Sequence, residues 1–465
     1  MSATAPFGSA GNPSSPVGIF DRARTVAPRD YDRFLVPPAA LAVHLAIGQA
    51  YAFSTFNLPL TKLLGITASA PGDWSLKQVG WTFSIAILFL GLAAALFGRW
   101  VESAGPRKAM AVAACCFGGG FLVSGLGIHL HEIDLLYLGY GVLGGCGLGI
   151  GYISPVSTLI KWFPDRPGMA TGMAIMGFGG GALIAAPLSI FLMDHFKTAE
   201  SNGVFESFLA MGVIYFLFMM FGAAVVRVPA SDWKPGGWTP SLTPKKLVTT
   251  ANVHVNVAWK TRQFWLLWGV LCMNVTAGIG VLSQASPMIQ EMFTGRVSAA
   301  AAASFVGLLS LFNMGGRFIW ASVSDYLGRR NTYFVFFLLG ITLYALVPSI
   351  GRAGSMPLFV LAFGVILSMY GGGFATIPAY LRDIFGTMHV GAIHGRLLTA
   401  WAAAGVLGPV LVSYIRDFQI HNGVPKAQAY SVTMYIMCGL LLIGLICNSL
   451  IRELDPELHH REPEH

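Results

Sequence analysis

The feature that most constrains this 465-residue chain is a row of twelve long apolar runs. Each is about 20 residues long, enough for a helix to cross a hydrocarbon core of roughly 30 Å. They fall at about 36–58, 79–98, 109–128, 135–160, 168–192 and 207–228, then at about 263–290, 299–323, 332–350, 357–380, 389–414 and 429–451. Only 11% of the residues are charged and 55% are hydrophobic, whereas a soluble chain carries about 25% charged residues. A soluble protein this long could not cover its surface with so few charges. The expected fold class is therefore an all-α membrane protein, with twelve transmembrane helices in two halves of six. Its 56 glycines suit closely packed helices in lipid. The six cysteines all lie inside apolar runs, so neither a disulfide framework nor a zinc spacing is visible. No metal site or cofactor is expected.

Domain boundaries follow from composition. Residues 1–34 read as a disordered basic tail, rich in Pro, Ser, Gly and Ala, with Arg22, Arg24, Arg29 and Arg33 near its end. Residues 35–228 form the first six-helix bundle, 229–262 a polar linker with Lys245-Lys246, 263–452 the second bundle, and 453–465 a polar acidic tail. The net charge of +8 comes without a dense basic patch interleaved with aromatics, which excludes nucleic acid as a partner. The partner implied is the lipid bilayer. Orientation follows from the cations. If both tails are cytoplasmic, the tails and even-numbered loops hold 20 of the 29 Lys and Arg, the odd loops hold 7, and Arg317 and Arg396 lie inside spans. That bias places both termini inside, in a multi-pass protein of the cell (inner) membrane.

An internal repeat runs through the chain. The loop after span 2 reads Glu102-Ser103-Ala104-Gly105-Pro106-Arg107-Lys108, and the loop after span 8 reads Asp325-Tyr326-Leu327-Gly328-Arg329-Arg330. Both carry an acid, a Gly three residues on, then cations, at an offset of 223 residues. A six-plus-six chain with this loop in both halves resembles the major facilitator superfamily over about residues 35–452. The resemblance implies two six-helix bundles related by a parallel pseudo-repeat, rocking about a central site near the midplane. It also implies that Glu102, Gly105, Arg107, Asp325, Gly328 and Arg329 belong to cytoplasmic loops whose charges pair with nearby helix ends and hold one conformation.

One charge stands inside the membrane. Arg317 lies eight residues before Asp325 in span 8, roughly 12 Å deep at about 1.5 Å per residue, close to the midplane of the core. A cation there is costly and marks a pathway by default. Asn313, four residues earlier, shares its helical face. No Asp or Glu lies well inside any span to pair with it. The repeat gives a further check, because subtracting 223 from 317 lands on Ala94 and from 313 on Leu90. The equivalent helix of the first half carries neither group, so the expected partner of Arg317 is a substrate anion. Further candidates are Tyr370 and Phe374 around a glycine run in span 10, Tyr152 in the Gly- and Pro-containing span 4, and Gln49 and Tyr51 in span 1. The Gly and Pro of residues 149–155 are expected to loosen span 4. His44 is a candidate for proton coupling.

The span 1 stretch Gly-Gln-Ala-Tyr-Ala-Phe-Ser, the loop Lys161-Trp162-Phe163-Pro164-Asp165-Arg166 and the Asn313-x-x-x-Arg317 pair together resemble the oxalate/formate antiporter family. That family is similar to the monocarboxylate transporters. The resemblance implies a small carboxylate substrate, bound by Arg317 with Asn313 beside it and Tyr370, Phe374 and Tyr152 around it. Members that exchange oxalate carry a lysine in span 11, where this chain has Trp401. Arg396 cannot replace it, since five residues turn a helix by about 500°. One fixed cation balances a monoanion and leaves a dianion half-paired.

The expected function is therefore secondary active transport of small organic anions of the lactate, pyruvate or formate type by alternating access. Proton symport and anion exchange both stay open. An oxalate/formate-type dicarboxylate antiporter and an exporter of other small amphipathic compounds are the alternative readings. An enzyme is not expected, because no Ser/His/Asp set, P-loop, dinucleotide fingerprint or metal spacing is present. A receptor would bring a larger soluble domain than the linker allows. Oligomeric state is not legible.

Overall fold

The computed structural model describes residues 18, 20–239, 247–249 and 251–459. Residues 1–17 of the basic tail, Lys245-Lys246 of the linker and residues 460–465 of the acidic tail lie outside the described residues. Among the described residues, twelve helices are long and apolar enough to cross a membrane. Helices 1–6 run Arg33–Leu60, Leu76–Ala104, Pro106–His129, Ile133–Trp162, Pro167–Phe196 and Val204–Val225. Helix 7 is Arg262–Met292 and helix 8 is Ala299–Leu327. Helices 9–12 run Arg329–Arg352, Met356–Phe385, Val390–His421 and Lys426–Ser449. Most outrun the apolar stretches that announce them. Helix 8 continues beyond Val323, so Asp325 sits in its last turn. An apolar count stops at the hydrocarbon edge, whereas backbone hydrogen bonding carries a helix into the polar zone.

Local chemistry sets the ends. Ser75 and Gln78 form a reciprocal capping box at helix 2, Thr261 caps helix 7 and Ser298 caps helix 8. Gly105 and Gly328 close helices 2 and 8 with φ of 82° and 85°. This left-handed region favours glycine. The two repeat loops thus share their backbone as well as their sequence.

The packing obeys the same repeat. Helix 1 packs on 5, 2 on 4 and 3 on 6. Likewise 7 packs on 11, 8 on 10 and 9 on 12. The two six-helix bundles meet where helix 2 crosses helix 11 and where helix 8 crosses helix 5. Small residues make these crossings possible. Gly172 packs on the backbone of Arg317 and Phe318, and Gly395 packs on the backbone of Ala94. Both members of these contacts are related by the 223-residue offset.

Within the second bundle, a Cβ at Gly371 would collide with the carbonyl oxygen of Asn313 and lie 3.1 Å from Cγ of Arg317. Gly371→Val should therefore destabilise the protein by about 1–3 kcal/mol through overpacking. It should also displace Arg317. Thermal unfolding in nanodiscs checks this, and an unchanged midpoint would contradict it.

Two expectations change. Residues 20–33 of the tail are folded rather than disordered. Ala27 donates its N–H to Val228, Val228 donates to Thr25, and Arg33 grips Asp165 through two bonds of 2.6 and 3.0 Å. These partners are distant in sequence, so local composition does not reveal them. Helix 4 is not loosened at Gly149–Pro155, because Gly145–Trp162 is continuous α-helix. Its wide turns lie at Tyr137–Gly144, a π-helical segment. Helix 3 presses on that segment, where a Cβ at Gly139 would fall 2.5 Å from the Ser124 nitrogen. Helix 1 also changes character, with 3-10 geometry over Gly48–Phe56.

Candidate functional site

Helices 1, 4, 5, 8, 10 and 11 converge on Arg317, which is fully buried. Its Nε donates to Asn313 Oδ1 at 3.2 Å and its Nη1 to the Ile175 carbonyl at 3.4 Å. The guanidinium lies 5.6 Å from the centre of the Phe178 ring and 5.2 Å from that of Phe374. These ring faces attract the cation. No carboxylate pairs with Arg317 among the described residues, and its Nη2 has no hydrogen-bond partner. The charge is sheltered but not neutralised.

Aromatic side chains enclose the group. Trp401 is fully buried, with its ring centroid 4.5 Å from Phe374, 5.2 Å from Phe178, 5.4 Å from Tyr152 and 6.5 Å from Tyr51. The Tyr51 and Tyr370 hydroxyls meet at 3.0 Å, joining the bundles across the site. The charge of Arg317 reaches the Tyr51 and Tyr152 hydroxyls. Two more buried donors have no acceptor, the Tyr152 hydroxyl and the Trp401 indole N–H. Two unsatisfied donors therefore lie beside one unpaired cation whose own Nη2 is unsatisfied as well. Buried polar groups normally find partners. The missing complement is a small acceptor bearing one negative charge, and a carboxylate can take two guanidinium N–H groups at once.

The crossings show why Arg317 is not explained by packing. Ala94 occupies the equivalent place against Gly395 with no charge at all. The fold makes this backbone contact in one half with an alanine.

Seven of the eight expected binding residues come together here: Arg317, Asn313, Tyr370, Phe374, Trp401, Tyr152 and Tyr51. Gln49 does not join them. Its Oε1 accepts from Tyr140 at 2.8 Å inside the first bundle. His44 lies beside the group, its ring stacked 5.1 Å from Tyr152 and its Nε2 3.1 Å from the Tyr152 carbonyl. Arg396 points elsewhere. It donates to the Val255 carbonyl and to Asn256 Oδ1 at 2.9 and 2.8 Å, so it lends no second cation. Sequence reasoning missed Phe178 and His394. The signal for Phe178 was present, since 223 residues before Trp401 lies Phe178. His394 on helix 11 is buried beside Tyr152, at 5.8 Å between rings.

The repeat loops close the end of the molecule that carries helix 1's start and helix 12's finish. Asp325 accepts from the N–H groups of Gly168 and Met169 at 2.9 Å each, at the start of helix 5. Glu102 accepts from Gly391 and Ala392 at 2.8 and 3.2 Å, at the start of helix 11. Each acid caps a helix of the opposite bundle, where the helix dipole favours negative charge. The cations divide differently from the expectation. Arg107 donates to the Ala223 and Ala224 carbonyls at the end of helix 6, and its counterpart is Arg330, which donates to Ser449 at the end of helix 12. Arg329 stands apart. It pairs with Asp325 at 2.5 Å and Asp383 at 3.3 Å. The first loop has no such arginine; there His389 faces Glu102 at 3.6 Å. Burial, with the charges of His389, Arg99 and Arg396, holds the nearby His254 imidazole below its usual range.

Comparison with known proteins agrees with this architecture. The Major Facilitator Superfamily model matches residues 39–409. The chain is 26% identical to the oxalate:formate antiporter of Oxalobacter formigenes, over 81% of this chain and 82% of that protein. It is 24% identical to apicoplast pyruvate carrier 1 of Toxoplasma gondii, over 73% and 70% of the two chains. Human monocarboxylate transporter 11 is 24% identical, over 79% and 76%. Among solved structures, the proton:xylose symporter XylE superposes with a TM-score of 0.65 at 16% identity, over 89% of this chain and 94% of that one. That likeness bears on the fold alone. The chain therefore belongs to the major facilitator superfamily of secondary transporters, among relatives that include oxalate/formate antiporters and monocarboxylate transporters.

Proposed function

We propose that this protein carries small monocarboxylates of the lactate, pyruvate or formate type, with Arg317 as the residue that binds the carboxylate. One observation carries the reading: a fully buried guanidinium with a free Nη2, no ion pair among the described residues, and two further unpartnered donors beside it. A bound carboxylate would satisfy the charge and the donors together. The relatives, an oxalate:formate antiporter, a pyruvate carrier and a monocarboxylate transporter, support the same chemical class.

The single cation selects for single charge. Trp401 gives helix 11 an apolar wall, and Arg396 is committed to the linker. Asn313, Tyr152 and Tyr51 orient the anion, while Phe178, Phe374, Tyr370 and Trp401 exclude water. Lactate and pyruvate should stabilise the purified protein against heat more than oxalate does. Trp401→Lys adds a second cation and should shift preference toward oxalate by about tenfold or more, equivalent to about 1.4 kcal/mol. Equal stabilisation of the wild type by lactate and oxalate would overturn the monoanion preference.

Orientation follows the Lys and Arg bias, with both termini cytoplasmic. The end latched by Asp325 and Glu102 is then the cytoplasmic gate. Opening it means withdrawing both acids from the helix ends they cap, so the two latches of this gate share one chemistry.

A further inference from the structure

We propose that the first bundle carries a site for a phosphate-type oxyanion, held between Arg22 and Lys161 at the latched end, with Glu102 as its competitor for Lys161. The inference goes beyond the carboxylate reading above and does not depend on it. It begins from a cavity of about 330 Å³, large enough for a small organic anion. Helix 2 meets the cavity at Glu102, helix 3 at Pro106, and helix 4 at Ser157, Thr158 and Lys161. The folded tail and the start of the linker cover it, and Arg22 belongs to that cover. The stem of Arg22 lies over Gly105, where a Cβ would fall 3.4 Å from Arg22 Cγ. The bonds that join Thr25 and Ala27 to Val228 hold the tail in this place.

The repeat shows what occupies this place in the other half. A Cβ at Gly149 would fall 2.3 Å from the Leu90 carbonyl oxygen, and one at Gly371 2.2 Å from that of Asn313. Leu90 and Asn313 are repeat mates, so Gly149 and Gly371 are mates as well, and helix 4 matches helix 10 at an offset of 222. Lys161 then matches Asp383, while Pro106 matches Arg329 at the usual 223. In the second half Arg329 pairs with both Asp325 and Asp383. The first half keeps the latch acid as Glu102, but it has Pro106 for the arginine and Lys161 for the second acid. One half seats a guanidinium between two carboxylates. The other leaves a cavity beside a lysine.

The charge around that cavity is uncompensated. Lys161 is partly buried, and among the described residues neither its ammonium nor the Arg22 guanidinium has a hydrogen bond or ion pair. The acids of this end are engaged. Glu102 caps Gly391 and Ala392, Asp21 accepts from the Ala23 N–H, Asp165 pairs with Arg33, and Asp232 pairs with Arg29. The charge of Arg22 reaches Lys161, and like charges repel unless an anion lies between them. Two fixed cations balance a dianion. A phosphate group carries about −1.5 to −2 charges near pH 7, with strong acceptor oxygens. Ser157 and Thr158 donate their hydroxyls to the Ser154 carbonyl at 3.0 and 2.9 Å, and rotation turns either toward such an anion. The charge of Glu102 also reaches Lys161. When helix 11 withdraws, Glu102 loses both N–H donors, and Lys161 is the cation beside it. An anion on Lys161 blocks that pairing, so it binds the latched form more tightly and favours it.

The test uses full-length protein in phosphatidylcholine nanodiscs, titrated with labelled inorganic phosphate at constant ionic strength. The wild type should bind about one phosphate per chain, and Lys161→Met should weaken binding about tenfold or more, the size of one charged hydrogen bond. Lys161→Arg keeps the charge and should keep the site. Arg22→Ala, on the exposed tail, should also weaken binding about tenfold, and it carries the test if Lys161→Met does not fold. Glu102→Gln removes the competing charge and should tighten binding about threefold or more. Arg317→Met should leave phosphate binding unchanged, which separates this site from the central one. Adding phosphatidic acid to the nanodiscs identifies the source: displacement of phosphate assigns the site to a lipid headgroup, and undiminished binding assigns it to a free anion. No saturable phosphate binding by the wild type, or binding that survives both Lys161→Met and Arg22→Ala, overturns the inference. Loss of binding in Arg317→Met alone overturns it too. None of these results decides whether lactate binds, so the carboxylate reading stands or falls separately.

Discussion

Replacing Arg317 by Met should raise the thermal stability of the unliganded protein while abolishing its response to lactate and pyruvate. Met keeps much of the length and removes the charge. A buried ion without a counterion costs several kcal/mol, so replacing it by an apolar group of similar volume should be neutral or stabilising. Binding should fall sharply, because two charge-assisted hydrogen bonds of about 1.5–3 kcal/mol each are lost. That corresponds to a loss of roughly a hundredfold or more. Arg317→Lys keeps the charge but not the planar fork, and should retain weak binding. A structural arginine would behave in the opposite way: Arg317→Met would unfold at a lower temperature, and no acid would distinguish it from wild type.

The second large effect is expected at the latches. Asp325 combines two backbone N–H donors at a helix start with Arg329, in a network that continues to Asp383 and Arg382. Arg382 also donates to the Pro164 carbonyl of the other bundle at 3.3 Å. Asp325→Asn removes the charge that holds these together. At about 1.5–3 kcal/mol per charged hydrogen bond, the equilibrium between closed and open forms should move by roughly ten- to a hundredfold. Glu102→Gln should do less, since its loop lacks the arginine. Spin labels at Arg166 and Met388, both exposed and on opposite bundles at the latched end, report the change. The wild type should give one short distance, and Asp325→Asn a second, longer population. Unchanged distances would show that the acid does not hold the gate.

Much of the fold was legible because lipid simplifies it. An apolar run of about 20 residues has few ways to satisfy its backbone, and the 223-residue repeat then paired the halves. Arg317 was legible for the same reason, as a charge in the wrong solvent. Gln49 was misplaced because adjacency to Tyr51 in sequence says little about direction in a 3-10 segment. His394 was hidden by its place near the end of an apolar run, where a histidine is unremarkable until its partners are known. The folded tail depends on Val228 and Asp165, more than 130 residues away, and no local pattern announces such contacts.

The most direct test of the central claim is counterflow in proteoliposomes loaded with unlabelled lactate. Labelled lactate should enter wild-type vesicles, pyruvate and formate should compete, oxalate should compete weakly, and Arg317→Met vesicles should show no uptake above empty liposomes. Equal counterflow by wild type and Arg317→Met would contradict the claim that Arg317 binds the transported carboxylate.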